Sequence, residues 1–111
     1  MTTRAYGESI VSIPSGSVAL EGVLDLPERP GGVVVFSHGS GSGRHSPRNR
    51  FVAGALRRAG LATLLLDLLT VEEDRDYQNR FEIDLLAGRL GDALRFVRRH
   101  DRTSRLPAGI F

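Results

Sequence analysis

Two segments near the amino terminus alternate between apolar and polar residues. Residues 9–13 and residues 18–26 both repeat with a period of two, which is the pattern of strands with one buried and one solvated face. The sequence Pro14-Ser15-Gly16-Ser17 between them is rich in turn-forming residues. The pattern therefore predicts an antiparallel hairpin.

The pattern then changes to short, continuous apolar runs. Residues 32–37 and 61–67 contain such runs, and residues 106–111 begin a third. Runs of this length, rich in β-branched and aromatic residues, are typical of parallel strands buried on both faces. We expect three parallel strands at these positions.

Two segments between these strands have apolar residues at helical spacing. A helix over residues 47–59 can begin after Ser46 as its N-cap, with Pro47 at its first position, and a second helix is predicted over residues 80–100. Residues 70–80 are charged and predict a loop. The apolar positions are Phe51, Val52, Ala55, Leu56 and Ala59 in the first helix, and Ile83, Leu86, Leu90, Ala93 and Val97 in the second.

These elements predict an α/β fold in which residues 1–111 form a single domain. An antiparallel hairpin is followed by β-α-β-α-β, which implies parallel strands with right-handed crossovers and helices on both faces of the sheet. In such sheets ligands bind at the carboxyl ends of the strands. The segment that leaves the third strand is therefore the first place to look for chemistry.

Composition removes several classes of chemistry. The sequence has no Cys, and its 15 basic residues are all Arg, which excludes disulfides, cysteine zinc sites, thiolate nucleophiles, Schiff-base lysines and the Gly-Lys phosphate loop. We expect no metal and no cofactor.

Net charge and hydropathy indicate whether the chain binds nucleic acid or a membrane. Arginines near the end of the second predicted helix, Arg95, Arg98, Arg99, Arg102 and Arg105, could suggest nucleic acid. A net charge of only +2 and no accompanying aromatic platform favour a solvated helix face instead. No apolar run reaches the length of a membrane span, and no signal-peptide core follows Met1. We expect a cytoplasmic chain with no nucleic-acid and no membrane partner.

The stretch after the third predicted strand carries the candidate chemistry. Gly39, Gly41 and Gly43 occupy alternate positions between a strand and a helix. Glycine lets the backbone turn N–H groups toward a cavity, and a helix N-terminus adds the positive end of its dipole. The pattern predicts an anion or oxyanion site, with a plain connecting loop as the alternative.

The string Ser37-His38-Gly39-Ser40-Gly41-Ser42-Gly43-Arg44-His45-Ser46-Pro47-Arg48-Asn49 resembles the oxyanion loop of α/β-hydrolases, specifically the dienelactone-hydrolase-like branch, which includes members fused to phosphoribosyltransferases. Two further segments match that branch, Leu66-Asp67-Leu68-Leu69-Thr70 with its following acidic residues, and Asp84-Leu85-Leu86-Ala87-Gly88-Arg89-Leu90. The resemblance covers residues 9–111 and implies the amino-terminal half of a partial α/β-hydrolase sheet. It also implies hydrolysis of an ester or lactone by the complete fold.

The resemblance implies a role for the main chain of the glycine loop. The backbone N–H of Ser40 would be one of two oxyanion donors that stabilise a tetrahedral intermediate. Gly41 would keep the loop close to the substrate. His38 and Gly39 would hold the loop in shape.

Three further candidates lie around this loop. Arg44 and His45 could line the acyl or leaving-group pocket, although a solvated loop explains them equally well. Asp67, at the end of the next strand, could brace the active-site face or serve as a cap.

The catalytic triad of this fold is missing from the sequence. A nucleophile, an acid and a histidine are needed in that chain order, and the sequence contains no Gly-x-Ser-x-Gly nucleophile elbow. In the family the strand at residues 106–111 runs directly into that elbow. We therefore expect a chain that is inactive alone, with a complementing carboxyl-terminal half or a homo-oligomer formed through the last strand.

A nucleotide- or anion-binding half-domain that uses residues 39–43 without catalysis is the alternative. Gly39-x-Gly41 follows a strand, and Asp67 ends the next, as in dinucleotide-binding folds. However, Arg44 stands where the third glycine of that fingerprint belongs, and Asp67 lies 28 residues after Gly39 rather than ~20.

Overall fold

The computed structural model describes residues 6–37 and 45–111. The strands in these ranges are β1 (Gly7–Ser15), β2 (Val18–Leu26), β3 (Val33–Phe36), β4 (Ala62–Leu66) and β5 (Ala108–Ile110). The helices are α1 (Pro47–Arg58), α2 (Val71–Asp74), a 3-10 helix (Tyr77–Phe81) and α3 (Ile83–Arg99). The strands form one five-stranded sheet in the order β1-β2-β4-β3-β5.

The predicted hairpin forms one edge of this sheet. β1 pairs antiparallel with β2 from Gly7 opposite Leu26 to Ser15 opposite Val18. Gly16 in the turn has φ +58°, a conformation that glycine adopts without steric cost. β2 also pairs antiparallel with β4, so the hairpin is joined directly to the parallel part of the sheet.

The parallel part of the sheet is covered by one helix on each face, as predicted. β3 lies parallel to both β4 and β5. One core, against α3, contains Leu24, Val33, Val35, Leu64, Leu66, Ala93 and Val97; a smaller one, against α1, contains Phe36, Ala53 and Leu65. Alternate residues of β3 and β4 therefore face opposite helices, because side chains of a strand alternate between its two faces.

The last strand differs from the prediction. Residues 106–111 were expected to form a buried strand, whereas β5 is limited to Ala108–Ile110 and all three residues are exposed. β5 is the edge strand of the sheet. Its side chains stay accessible because the described part of the chain packs no helix over it.

The prediction of a loop over residues 70–80 is also wrong. Thr70 begins α2 with a capping box, in which its side chain accepts from the backbone of Glu73 and the Glu73 side chain accepts from the backbone of Thr70. Asp76 caps the following 3-10 helix in a similar way. The acidic residues that suggested a loop are here the groups that satisfy free N–H donors at helix starts.

Four residues of the predicted apolar helix faces are exposed, namely Phe51, Ala55, Ala59 and Ile83. Phe51 is 74% exposed and Ile83 is 72% exposed, whereas Ala53, which was not in the predicted face, is only 7% exposed. α1 packs closely on the sheet through this small side chain. Val52 and Leu56, which were predicted to face inward, also pack against the smaller core, so the pattern predicted both helices and part of the buried face of α1.

Candidate functional site

The carboxyl ends of β3 and β5 meet at one edge of the sheet. The backbone N–H of Ser37, just after β3, donates to the carbonyl oxygen of Phe111 over 2.9 Å, and the N–H of Phe111 donates to Val35 O over 2.9 Å. The Ser37 hydroxyl also lies 3.3 Å from the Phe111 carbonyl oxygen. The ring centroids of Phe36 and Phe111 are 5.1 Å apart. These contacts continue the parallel pairing beyond the strands and hold the two chain segments together where they leave the sheet.

The N-terminus of α1 follows the glycine loop. Ser46 is its N-cap and accepts a hydrogen bond at Oγ from the backbone N–H of Asn49, over 3.3 Å, and Pro47 is in the first turn. Asn49 is 5% exposed, so this first turn is packed against the domain. The helix thereby contributes the positive end of its dipole at a defined place after the loop.

The glycine loop itself lies largely outside the described residues. This holds for His38, Gly39, Ser40, Gly41 and Arg44, whose predicted roles stay predictions. His45 is described and exposed, one residue before the N-cap of α1. Its place in a substrate pocket also stays a prediction.

Asp67 is the first residue after β4, at the same edge of the sheet. Phe36 of β3 is level with Leu65 of β4, so Asp67 is two positions further along, just beyond the level of Ser37. Asp67 is half-buried, and its N–H donates to the carbonyl oxygen of Glu21 over 3.4 Å. The structure thus places Asp67 next to the level of Ser37 in the sheet, and its role in bracing this edge or as a cap stays a prediction.

An ion pair between a buried arginine, Arg89, and a half-buried glutamate, Glu73, was not predicted. Arg89 of α3 is 8% exposed, and its guanidinium donates to both carboxylate oxygens of Glu73, over 2.7 and 2.6 Å, and to the carbonyl oxygen of Leu68, over 3.0 Å. Glu73 Oε1 also accepts from the N–H of Thr70 over 2.9 Å. One arginine thus joins α3 to the segment that leaves β4 and to the start of α2.

The electrostatics of this pair follow from its geometry. The hydrogen bonds from Arg89 lower the pKa of Glu73 from 4.5 to about 2, and the backbone N–H of Thr70 acts in the same direction. The same contact raises the pKa of Arg89. Both groups are charged at neutral pH, and the pair is bidentate, which is the strongest form of an arginine–carboxylate contact.

A signal for part of this cluster was present in the sequence. Thr70-x-x-Glu73 has the spacing of a capping box. Residues 66–70 and 84–90 each resemble the dienelactone-hydrolase-like branch. Their spacing does not show that the Arg89 side chain joins them. That contact depends on how α3 packs on the sheet.

The described part of the chain contains neither a cluster of metal ligands nor a membrane-spanning helix. Across residues 6–37 and 45–111, no three His, Asp or Glu side chains are grouped as metal ligands. Within the same ranges, none of the helices combines the length and apolar character required to cross a bilayer.

Comparison with solved structures identifies the fold. No protein-family profile matches the chain. The crystal structure of dienelactone hydrolase from Anabaena variabilis superimposes with a TM-score of 0.89 over 97% of the chain, at 47% sequence identity. The chain has the dienelactone-hydrolase-like α/β-hydrolase fold. A cold-adapted esterase from an Arctic intertidal metagenomic library, with a TM-score of 0.73 over 99% of the chain but 16% identity, supports this fold alone.

Relatives with curated sequences come from two strains of Mycobacterium tuberculosis and bear the provisional name of phosphoribosyl transferase. Each is 52% identical over 101 residues, which is 91% of this chain and 23% of the relative. The chain therefore spans about a quarter of these relatives, and 52% of the dienelactone hydrolase. This dienelactone-hydrolase-like chain thus corresponds to part of each longer protein.

Proposed function

We propose that this chain supplies the oxyanion-loop half of a dienelactone-hydrolase-like acyl hydrolase that acts on an ester or a lactone. The observation that carries the proposal is the hydrogen-bonded contact between Ser37 and Phe111. It joins the segment that enters the glycine loop to the strand that, in hydrolases of this type, leads to the nucleophile. The similarity to the Anabaena variabilis dienelactone hydrolase, at 47% identity, supports the same reaction class.

Adjacent strand ends suit the geometry that acyl hydrolysis requires. Attack on an ester carbonyl creates a tetrahedral intermediate whose oxyanion is stabilised by two N–H donors. In this fold one donor comes from the loop after β3, where we assign Ser40, and the other comes from the residue after the nucleophile. Because β3 and β5 are neighbours and parallel, segments that leave their carboxyl ends start side by side.

The N-terminus of α1 strengthens such a site. Ser46 and Pro47 start the helix directly after the loop. The positive end of the α1 dipole would therefore favour negative charge that develops at the loop. His45 and Arg44, just before the helix, are the residues that we assign to the acyl or leaving-group pocket.

The proposal assigns no turnover to this chain alone. Nucleophilic catalysis needs a serine or equivalent with a base and an orienting acid, and the sequence has no nucleophile elbow. These groups, and the second oxyanion donor, would come from a carboxyl-terminal half.

A chimera tests this division of labour. Residues 1–111 are joined to the carboxyl-terminal half of the Anabaena variabilis dienelactone hydrolase, and hydrolysis of 4-nitrophenyl acetate and of a dienelactone is measured. We expect the chimera to hydrolyse both, and each half alone to do no better than buffer. An inactive but folded chimera would contradict the proposal, and so would ester hydrolysis by the isolated chain that disappears when a single serine, such as Ser37 or Ser46, is replaced.

A nucleotide- or anion-binding half-domain is the second candidate. The observations that favour it are a helix N-terminus directly after a glycine-rich loop and the name of the Mycobacterium tuberculosis relatives, phosphoribosyl transferase. Thermal-shift titrations of the chain with NAD, ATP and phosphoribosyl diphosphate distinguish the two functions. Saturable stabilisation by one of these ligands would favour the second candidate over the first.

A further inference from the structure

Arg89 is the residue that connects the interior of α3 to the carboxyl edge of the sheet. Its side chain crosses from the helix to the Leu68 carbonyl oxygen and to Glu73, and only 9% of it is exposed. The segment it contacts begins directly after β4, and Leu68 and Leu69 within that segment are 2% and 3% exposed. The segment is therefore fixed from both sides, by apolar packing and by a charged clamp.

This segment starts beside Ser37, the last described residue before the glycine loop. Asp67 is at its start, just beyond the level of Ser37 in the sheet register. A displacement of residues 67–70 would therefore move the surface next to Ser37, from which the chain enters the glycine loop. Such displacements matter in an enzyme because small shifts in positioning groups have large effects on binding and rate.

We propose that Arg89 is a positioning residue of the acyl site, which fixes residues 67–70 as one wall of the substrate pocket through its contacts with Glu73 and the Leu68 carbonyl. This inference rests on the proposed function. Arg89 itself does not touch substrate and acts through this segment, in which the half-buried residues Asp67 and Thr70 are the ones accessible to a substrate.

The chemistry of the clamp requires arginine. The planar guanidinium donates to two carboxylate oxygens and to a carbonyl at once, whereas a lysine ammonium is a point charge on a stem that does not reproduce this fork. Arg89→Lys therefore keeps the positive charge but loses the simultaneous contacts. It separates the geometry of the clamp from its charge.

A second arginine of the chain provides a matched control. Arg80 also makes a bidentate contact, with Asp74 over 2.8 and 3.1 Å, but its side chain is 36% exposed. These hydrogen bonds stay within the segment from Asp74 to Arg80 and do not reach the residues directly after β4. Arg80→Lys therefore makes the same chemical change without touching the proposed wall.

The first measurement uses the chain itself. Amide hydrogen exchange is followed at Thr70, whose N–H is bonded to Glu73, and at Asp74, whose N–H is bonded to Thr70 O. We expect Arg89→Lys to accelerate exchange at both amides at least about tenfold, and Arg80→Lys to leave Thr70 unchanged. Equal exchange rates of the Thr70 amide in the two variants would contradict the role of Arg89 as a clamp.

The second measurement uses the chimera described above. We expect Arg89→Lys to raise KM about tenfold with kcat within about twofold, because a pocket wall contacts substrate in the ground state and in the transition state alike. If that variant fails to fold, Glu73→Gln, which keeps an oxygen for the Thr70 cap, takes its place with a smaller rise in KM. An unchanged KM in the variant that folds, or an equal rise in Arg80→Lys, would overturn the positioning role.

The two proposals fail in different ways. An inactive, folded chimera without substitutions rejects the proposed function and the positioning role with it, whatever the exchange data show. An active chimera whose KM is unchanged by Arg89→Lys rejects only the positioning role.

Discussion

Replacement of Glu73 by glutamine isolates the contribution of its ion pair with Arg89 to stability. Glutamine is compatible with the third position of a capping box, so the bond from the Thr70 N–H can persist. The substitution removes the negative charge that Arg89 faces. The Arg89 guanidinium then loses its hydrogen-bonded carboxylate. Because Arg89 is only 8% exposed, water has little access to its charge.

The size of the effect follows from the pKa of Glu73. Contact with Arg89 and the Thr70 N–H lowers this pKa from 4.5 to about 2, and one pKa unit corresponds to about 1.4 kcal/mol. The full shift is therefore worth at most about 3–4 kcal/mol. Since a quarter of the Glu73 side chain is exposed, we expect Glu73→Gln to lower the free energy of unfolding by about 2–3 kcal/mol at pH 7.

The pH dependence of this difference has a definite sign. A carboxyl whose pKa is lower in the folded state stabilises the fold above its unfolded pKa, and this stabilisation is lost as the pH falls through the folded pKa. For Glu73 the window lies between 4.5 and about 2. At pH 3 we expect the difference between the chain and its Glu73→Gln variant to be about half of that at pH 7.

Urea denaturation of both chains at pH 7, 5, 4 and 3, followed by circular dichroism, measures this difference. Asp74→Asn is the control, since it removes a carboxylate from an exposed arginine pair in the same region. We expect it to change the denaturation midpoint much less than Glu73→Gln does. A Glu73→Gln effect that is constant from pH 7 to pH 3, or no larger than that of the control, would refute the reasoning.

Two further stability predictions depend on local packing and capping. Gly22→Ala should lower the free energy of unfolding by about 1–3 kcal/mol, because a Cβ there would lie 3.1 Å from the Leu65 carbonyl oxygen. In the control, Gly88→Ala, the new Cβ would have nothing within 4 Å. This substitution should raise the free energy of unfolding by about 0.5–1 kcal/mol. Equal effects at the two glycines would contradict this account of the sheet. Ser46→Ala should cost about 1 kcal/mol through loss of the hydrogen bond to the Asn49 N–H, measured by urea denaturation, and an unchanged midpoint would show that the cap does not stabilise α1.

Periodicity and turn chemistry predicted the sheet well where one physical effect dominates. β2 has the bounds expected from its alternation, and α1 begins at the predicted Pro47 after the predicted Ser46 cap. β4 is buried along its whole length, as its apolar run indicates. In these elements local propensity and burial favour the same structure.

The prediction failed where tertiary packing decides. Phe51 has the spacing of an inward residue, but the face of α1 that packs on the sheet contains Val52, Ala53 and Leu56, and Phe51 is 74% exposed. β5 has the composition of a buried strand and is exposed because it forms the edge of the sheet. Neither outcome can be read from a single segment.

The candidate site was predicted only in part, for a similar reason. The string from Ser37 to Asn49 indicates an oxyanion loop by resemblance, and residues 38–44 of it lie outside the described structure. The pairing of Arg89 with Glu73 joins residues 16 positions apart through the packing of α3. A long-range contact of this kind carries no local periodic signal.

In the proposed function, a main-chain donor after β3 stabilises the oxyanion of an acyl-transfer reaction. Steady-state hydrolysis of 4-nitrophenyl acetate by the chimera, with Ser40→Ala and Ser40→Pro compared side by side, tests it most directly. Alanine keeps the N–H and proline removes it, so we expect Ser40→Ala to stay near the parent chimera and Ser40→Pro to lower kcat by about 100–1,000-fold. If Ser40→Ala is as damaging as Ser40→Pro, or if Ser40→Pro retains full turnover, the assignment of the backbone donor is contradicted.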